Sequence, residues 1–71
     1  MSNLRGFSDR LGITISQSAF SQKEIARRIG CTDRNLHKWL VGEYMPNAYY
    51  LAKICELCGV SADWLLLGEE K

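Results

Sequence analysis

Long apolar runs are missing from this chain of 71 residues. No segment approaches the roughly 18 consecutive apolar residues that a membrane-spanning helix needs. The N-terminus also lacks a charged stretch followed by an apolar run, which is the pattern of a secretion signal. We therefore expect a protein that stays in the cytoplasm.

Paired cysteines are not the pattern of this chain, because its three cysteines are an odd number and secretory features are lacking. This pattern argues against a framework of paired disulfides and favours reduced thiols. Cys55 and Cys58 form a C-x-x-C, a spacing that zinc sites and dithiol redox centres use, with Cys31 and His37 as the other candidate ligands. Metal or redox chemistry is therefore one interpretation of the pair.

The periodicity of the same segment favours a structural interpretation. Apolar residues follow the helical spacing i, i+3, i+4, i+7 at Leu51, Ile54, Cys55 and Cys58. Cysteine on such a face behaves as a small hydrophobic residue, and no second C-x-x-C or H-x-x-x-H accompanies it. We expect no metal and no cofactor.

Groups for catalysis are equally sparse. His37 is the only histidine, and no serine or cysteine nucleophile predictably lies beside it. No paired carboxylates and no phosphate-binding glycine loop can be placed. We expect no enzymatic activity.

The segment from Ser21 to Gly42 carries most of the information, because it predicts two short amphipathic helices. Ser21 and Glu24 have the spacing of a capping box, in which each side chain accepts a hydrogen bond from the other's backbone N–H. The apolar positions at helical spacing are Ile25, Ala26 and Ile29. Gly30 then suits a left-handed helix end, and Thr32 is a good N-cap for the second helix. A connection of only three residues between the two helices indicates a helix-turn-helix.

In the second helix, the predicted buried stripe consists of Leu36, Trp39 and Leu40. The remaining face is polar and consists of Asp33, Arg34, Asn35, His37 and Lys38. Arg34 and Lys38 are one helical turn apart and carry donors that suit the acceptors of guanine in a major groove, and Asn35 could pair with adenine. Asp33 could accept from cytosine or orient Arg34. The alternative interpretation is a helix face that is simply solvated.

The formal net charge of +1 conceals an uneven distribution. Up to Lys38 there are seven basic residues against three acidic ones, whereas from Trp39 onward there are two against five. Such an uneven field would orient the domain on a polyanion, unless the segregation arises by chance in a short chain.

The rest of the chain predicts three further helices around this pair. Phe7, Leu11 and Ile15 are spaced for a first helix that packs behind the motif. Asn47 can begin a fourth helix, Gly59 can end it, and Ser61 can cap a fifth. With 46% hydrophobic residues, a single domain of this length can bury roughly 60% of its unfolded surface.

One set of residues links these elements to a known family. It comprises Phe7, Arg10 and Leu11; Ser21, Gln22, Glu24, Ile25, Ala26 and Gly30; Leu36, Trp39 and Gly42; Pro46, Leu51 and Ile54; and G-V-S-A-D-W-L-L-L-G from Gly59 to Gly68. Their joint spacing resembles the lambda-repressor-like, Cro/cI type of helix-turn-helix protein. The resemblance implies an all-α, compact five-helix DNA-binding domain with the helix-turn-helix in helices 2 and 3.

The resemblance also implies where DNA would be contacted. The base-reading residues would be Asp33, Arg34, Asn35 and Lys38. The DNA backbone would be contacted by Ser21, Gln22, Lys23, His37 and Tyr49. Leu40 and Val41 depart from the family pattern, which often has Glu at the first position and a polar or basic residue at the second.

We therefore expect a sequence-specific DNA-binding transcriptional regulator, a phage or prophage type of repressor that binds operator DNA through the major groove. The apolar run from Trp64 to Leu67 exceeds the needs of one small core, which favours a homodimer through Val60, Trp64 and Leu67. Residues 1–71 would form one domain, either alone or as the N-terminal domain of a longer repressor, in the cytoplasm of a bacterial or phage-infected cell near the nucleoid.

Two other functions remain open for a chain of this kind. It could be a DNA-binding antitoxin or an autoregulator of a small operon, which would share the same domain. It could also be a protein-interaction module on the same fold, an interpretation that the low net charge and Asp33 favour.

Overall fold

The computed structural model describes residues 4–68 of the chain. Within this range there are five α-helices and no β-strand: α1 (Leu4–Gln17), α2 (Gln22–Ile29), α3 (Asp33–Leu40), α4 (Ala48–Cys58) and α5 (Ala62–Leu67). The predicted all-α, five-helix fold is confirmed. The longest helix has 14 residues, so no helix in the described range is long and apolar enough to cross a membrane.

Polar N-caps define where four of the helices begin. The caps are Ser21, Thr32, Asn47 and Ser61, and each side-chain oxygen accepts a hydrogen bond from the backbone N–H three residues later. Each such cap satisfies a backbone donor that the helix itself cannot use and stabilises the domain by about 1 kcal/mol. All four caps were predicted from the sequence.

The capping box at the start of α2 forms only in part. Ser21 Oγ accepts from the Glu24 N–H at 3.1 Å, as predicted. The Glu24 carboxylate does not reach back to Ser21, because it accepts hydrogen bonds from the side chains of Arg27 and Arg28, the latter at 2.8 Å. The two guanidinium groups lower the pKa of Glu24, so this carboxylate stays ionised to a lower pH than usual.

The core lies where the five helices meet. Its buried residues are Phe7, Leu11, Ile25, Ala26, Ile29, Leu36, Trp39, Ile54 and Leu65. Helix α1 packs against α3 and α5, and α2 packs against α3 and α4. The apolar faces predicted for α1 to α4 are confirmed, with Leu40, Cys55 and Cys58 half-buried around the core.

Arg10 joins the first and last helices. Its Nε donates to the Leu65 carbonyl at 2.9 Å, and its Nη2 donates to the Leu66 carbonyl at 2.8 Å. These carbonyls lie at the C-terminal end of α5, where the helix has no backbone donors for them and where its dipole attracts a cation. Arg10, one of the residues that carry the family resemblance, therefore contributes to the fold, although its partners in α5 were not predicted from the sequence.

Thr14 is the one buried polar side chain among the described residues, and it is 4% exposed. Its Oγ1 has no hydrogen-bond partner there. A buried hydroxyl without a partner destabilises the folded chain, because it loses its hydrogen bonds to water and gains none.

We expect Gly12→Ala to stabilise the domain by about 0.5–1 kcal/mol, because alanine is a better helix former than glycine. Gly12 lies inside α1, and a Cβ added there meets no atom within 4 Å. Gly30→Ala is the matched control: a Cβ there also meets nothing, but the backbone φ is 88°. It should destabilise the domain, since L-residues avoid this region. Thermal unfolding measures both, and equal shifts of Tm would contradict the prediction.

We expect Thr14→Val to stabilise the domain by about 1 kcal/mol, because it replaces an unpartnered hydroxyl with a methyl group of similar size. Thr14→Ser keeps the hydroxyl and deletes the methyl group, so it should lower the free energy of unfolding. Urea unfolding of the three proteins provides the measurement. A loss of stability in Thr14→Val would mean that the hydroxyl has a partner, such as a bound water.

Candidate nucleic-acid interface

A three-residue turn, Gly30 to Thr32, joins α2 to α3. The N–H groups of Gly30 and Cys31 both donate to the Ala26 carbonyl at 3.0 Å, and Gly30 has the left-handed φ of 88° that the sequence predicted. Ala26 is buried beneath the turn. A small side chain at this position lets the two helices approach closely, so the turn and Ala26 together fix the direction of α3.

Tyr50 of α4 supports this turn from the side. Its ring centroid is 5.5 Å from that of Trp39, and its hydroxyl donates to the Gly30 carbonyl at 3.4 Å. Tyr50 thus contacts both the end of α2 and the buried side of α3. Tyr50 packs against the core, whereas its neighbour Tyr49, for which the family resemblance implies a contact with the DNA backbone, is 61% exposed.

The two faces of α3 differ sharply in exposure. Leu36 and Trp39 are buried, and Leu40 is half-buried against the core. The exposed residues are Asp33, Arg34, Asn35 and His37, and Lys38 is half-buried. All four residues proposed to read bases therefore lie outside the core, on the side of α3 that the domain leaves open.

Arg34 and Asp33 are available for new contacts. Neither forms an ion pair with another side chain in the described part of the chain, so Asp33 does not orient Arg34 in the way the sequence suggested. The Asn35 backbone N–H donates to the Thr32 cap at 3.1 Å, which leaves the side-chain amide for other partners. Arg34 thus presents its full set of guanidinium donors to solvent.

Lys38 lies beside the loop that follows α3. Its Nζ is 5.1 Å from the centroid of the Tyr44 ring. Asn35, Lys38 and Tyr44 line an open groove of about 380 Å³ whose far side is formed by the start of α4. Tyr44 was not among the residues predicted from the sequence, because a loop residue gives no periodic signal that would indicate which side chain it contacts.

The start of α2 offers a second set of exposed groups. Ser21, Gln22 and Lys23 are exposed, and the Ser21 oxygen already accepts the Glu24 N–H. The N–H groups of Gln22 and Lys23 precede the first intrahelical hydrogen bond, which runs from Ile25 to Ser21. Unpaired N–H groups at a helix start suit an anion such as a phosphate.

Several of the basic residues counted in the sequence have local partners. Arg27 and Arg28 share the Glu24 carboxylate, and the Arg28 guanidinium also lies 4.6 Å from the centroid of the Phe20 ring. Arg10 is bound to α5. Among the described residues, Lys23 at the start of α2 and Arg34 and Lys38 on α3 form no ion pair within the fold, and Arg27 and Arg28 share one carboxylate between them.

The two departures from the family pattern lie at the end of α3. Leu40 is half-buried and packs against the core, so it has a structural role. Val41 is 56% exposed and can offer no hydrogen bond to a phosphate. Gly42 has a φ of 83°, so the left-handed residue that ends α3 comes directly after the C-cap Val41.

The three thiols are half-buried. Burial raises the pKa of Cys31, Cys55 and Cys58, so protonated, weakly nucleophilic thiols dominate at neutral pH. Cys55 and Cys58 lie on the face of α4 that packs around the core, as the periodicity predicted. Between residues 4 and 68, no three His, Cys, Asp or Glu side chains gather closely enough to hold a metal ion.

Comparison with known proteins agrees with this geometry. A family profile described as a helix-turn-helix domain matches residues 8–71. An uncharacterized HTH-type transcriptional regulator of Haemophilus influenzae is 42% identical over 48 residues, which cover 68% of this chain and 20% of that protein. An SPbeta prophage-derived uncharacterized HTH-type transcriptional regulator of Bacillus subtilis is 32% identical over 62 residues, which cover 87% of this chain and 57% of that protein.

A solved structure has the same architecture. The solution structure of the SOS-response transcriptional repressor LexA from Eubacterium rectale superposes with a TM-score of 0.84 and 25% identity. The match covers 97% of this chain and 71% of that one. The chain spans about a fifth of the length of the Haemophilus influenzae regulator and just over half of the length of the Bacillus subtilis regulator.

The profile covers most of the chain, and the whole α2–turn–α3 unit lies within the residues that it matches. The chain therefore belongs to the helix-turn-helix family of DNA-binding domains.

Proposed function

We propose that this chain is a sequence-specific DNA-binding transcriptional regulator, and that it acts as a repressor of the phage or prophage type by occupying an operator. The main observation behind this proposal is that α3 is amphipathic. It buries Leu36 and Trp39 in the core and leaves its polar face open to solvent. A helix held in this way can enter a major groove without exposing apolar side chains.

The proposed roles divide along the two helices. On α3, Arg34 and Lys38 would donate to guanine and Asn35 would pair with adenine, while Asp33 would accept from cytosine N4. At the start of α2, Ser21, Gln22 and Lys23 would hold a phosphate, with His37 and the exposed Tyr49 as further backbone contacts. The exposure of these residues supports the assignment.

The names of related proteins support the regulatory part of the proposal. The Haemophilus influenzae and Bacillus subtilis relatives are called HTH-type transcriptional regulators, and the second is prophage-derived. The solved structure with the similar fold is called a transcriptional repressor. Blocking access to a promoter needs only a bound domain, which fits a chain in which we expect no catalytic function.

A homodimer through the C-terminal helix is part of this proposal. Leu67 is 49% exposed on α5, and Val60 and Trp64 are half-buried near it in the chain. An exposed leucine beside partly covered apolar residues favours contact with a second copy. Two recognition helices about 34 Å apart would then enter successive major grooves.

Selection from random duplex DNA tests the function directly. We expect recovery of a defined motif made of two related half-sites, and binding that weakens steeply as salt rises, because bound Lys and Arg displace counterions from phosphates. Failure to recover any motif, together with a flat salt dependence, would reject the DNA-binding proposal and favour a protein-interaction module.

We expect Arg34→Ala to weaken binding to the selected site by about 1–3 kcal/mol and to relax the base preference at one position. Gln22→Ala is the contrasting variant, and it should weaken binding to all sequences by similar factors, because a phosphate contact reads no base. Titration against the selected site and its single-base variants measures both effects. An unchanged base preference in Arg34→Ala would place the reading face elsewhere.

We expect Leu67→Glu to convert a dimer into a monomer in sedimentation experiments, because it puts a charge into the proposed apolar contact. Because Leu67 is exposed in the single chain, the variant should still fold, and its Tm should fall only by the amount that dimerisation contributes at the protein concentration used. The variant should bind a single half-site as the wild type does but lose tight binding to the two-half-site operator. A wild-type chain that sediments as a monomer on and off DNA would contradict the dimer.

A further inference from the structure

Lys38 differs from the other proposed readers because a side chain outside α3 touches it. Its Nζ lies 5.1 Å from the centroid of the Tyr44 ring, within the distance at which a cation is attracted to an aromatic face. Lys38 is half-buried, whereas Arg34 and Asn35 are exposed. The ammonium group is therefore held beside α3 before any DNA is present.

The backbone explains why Tyr44 lies there. The Glu43 N–H donates to the Lys38 carbonyl at 2.9 Å, and the Gly42 N–H donates to the Trp39 carbonyl at 3.3 Å. These two bonds, with Gly42 at a φ of 83°, form a Schellman motif. The motif turns the chain back over the last turn of α3, and the Tyr44 N–H also points to the Lys38 carbonyl, at 3.4 Å. The position of the ring thus follows from the helix end.

The groove beside this contact faces solvent. Asn35 and Lys38 line it from α3, and Tyr44 lines it from the loop. Two of the residues proposed to read bases therefore line the same groove as the Tyr44 ring.

We propose that Tyr44 is a positioning residue for base recognition, and that its ring holds the Lys38 ammonium group in the orientation needed to donate to a base. This inference rests on the proposed function. A lysine has a flexible four-carbon stem, and ordering it on binding costs conformational entropy. A ring that restrains the stem beforehand lowers that cost, so Tyr44 affects affinity only through Lys38.

A double-mutant cycle tests this dependence. Tyr44→Leu should weaken binding to the selected operator by about 2- to 5-fold, the size expected of an exposed cation–π contact. In a Lys38→Ala background the same substitution should have no further effect. Tyr44→Phe keeps the ring and should bind as the wild type does. Thermal unfolding of each variant checks that the fold is intact.

The chain offers a matched control in a second pair of the same chemistry. The Lys53 Nζ lies 5.7 Å from the centroid of the Tyr49 ring, and both residues are on α4. The effects of Tyr49→Leu and Lys38→Ala on affinity should multiply independently. Energetic coupling between Tyr49→Leu and Lys38→Ala would show that loss of a tyrosine elsewhere also perturbs Lys38. That result would overturn a specific role for Tyr44.

A measurement on the free protein separates this inference from the proposed function. The ring should shift the Lys38 side-chain proton resonances in wild type and Tyr44→Phe, and the shift should disappear in Tyr44→Leu. If that shift is present but no duplex is selected, the proposed function fails and base recognition fails with it. If a duplex is selected but Tyr44→Leu and Lys38→Ala lower the binding free energy additively, only the positioning role is overturned. The same conclusion follows if Tyr44→Phe binds as weakly as Tyr44→Leu.

Discussion

The position of α3 depends on the turn that begins at Gly30. The carbonyl of Ala26 accepts two N–H groups there, and the left-handed glycine reverses the chain within three residues. Tyr50 then contacts both the Gly30 carbonyl and the Trp39 ring, so α4 holds the turn and the buried side of α3 together. Everything proposed for the open face of α3 requires that this support stays rigid.

Rigidity at the turn matters because base recognition depends on direction as well as on chemistry. A bidentate contact tolerates little displacement, and a helix that tilts moves every side chain on its open face together. The core beneath α3 uses Leu36 and Trp39, which come from the same helix as the readers. One short segment therefore carries both the packing that fixes α3 and the groups that would touch DNA.

The sequence predicted the fold in most of its detail, because local signals specify it. Caps at Ser21, Thr32, Asn47 and Ser61 and the apolar periodicity of α1 to α4 depend on near neighbours in the chain. Contacts between distant residues were missed, such as Arg10 with the carbonyls of α5. The Glu24 carboxylate was wrongly assigned to a capping box. Two nearby arginines compete for it, and spacing alone does not reveal which partner it takes.

The candidate site was predicted less completely than the fold. The sequence identified the polar residues of α3, which the structure places outside the core. The sequence did not reveal that Tyr44 lies beside Lys38. That contact depends on the path of an irregular loop after Gly42. A glycine two residues before an aromatic residue, directly after a predicted helix, is the signal that would have indicated it.

The low net charge of the chain has a consequence for how such a domain would select its site. Arg10, Arg27 and Arg28 have partners within the fold, and the formal net charge of the chain is only +1. Non-specific affinity for DNA comes almost entirely from cations placed against phosphates. Under the proposed function, a chain of low net charge would bind random DNA weakly, and a larger share of its affinity for an operator would come from base contacts and from pairing of two copies. The restraint of one proposed reading side chain, Lys38, would then matter more than it would on a strongly basic surface.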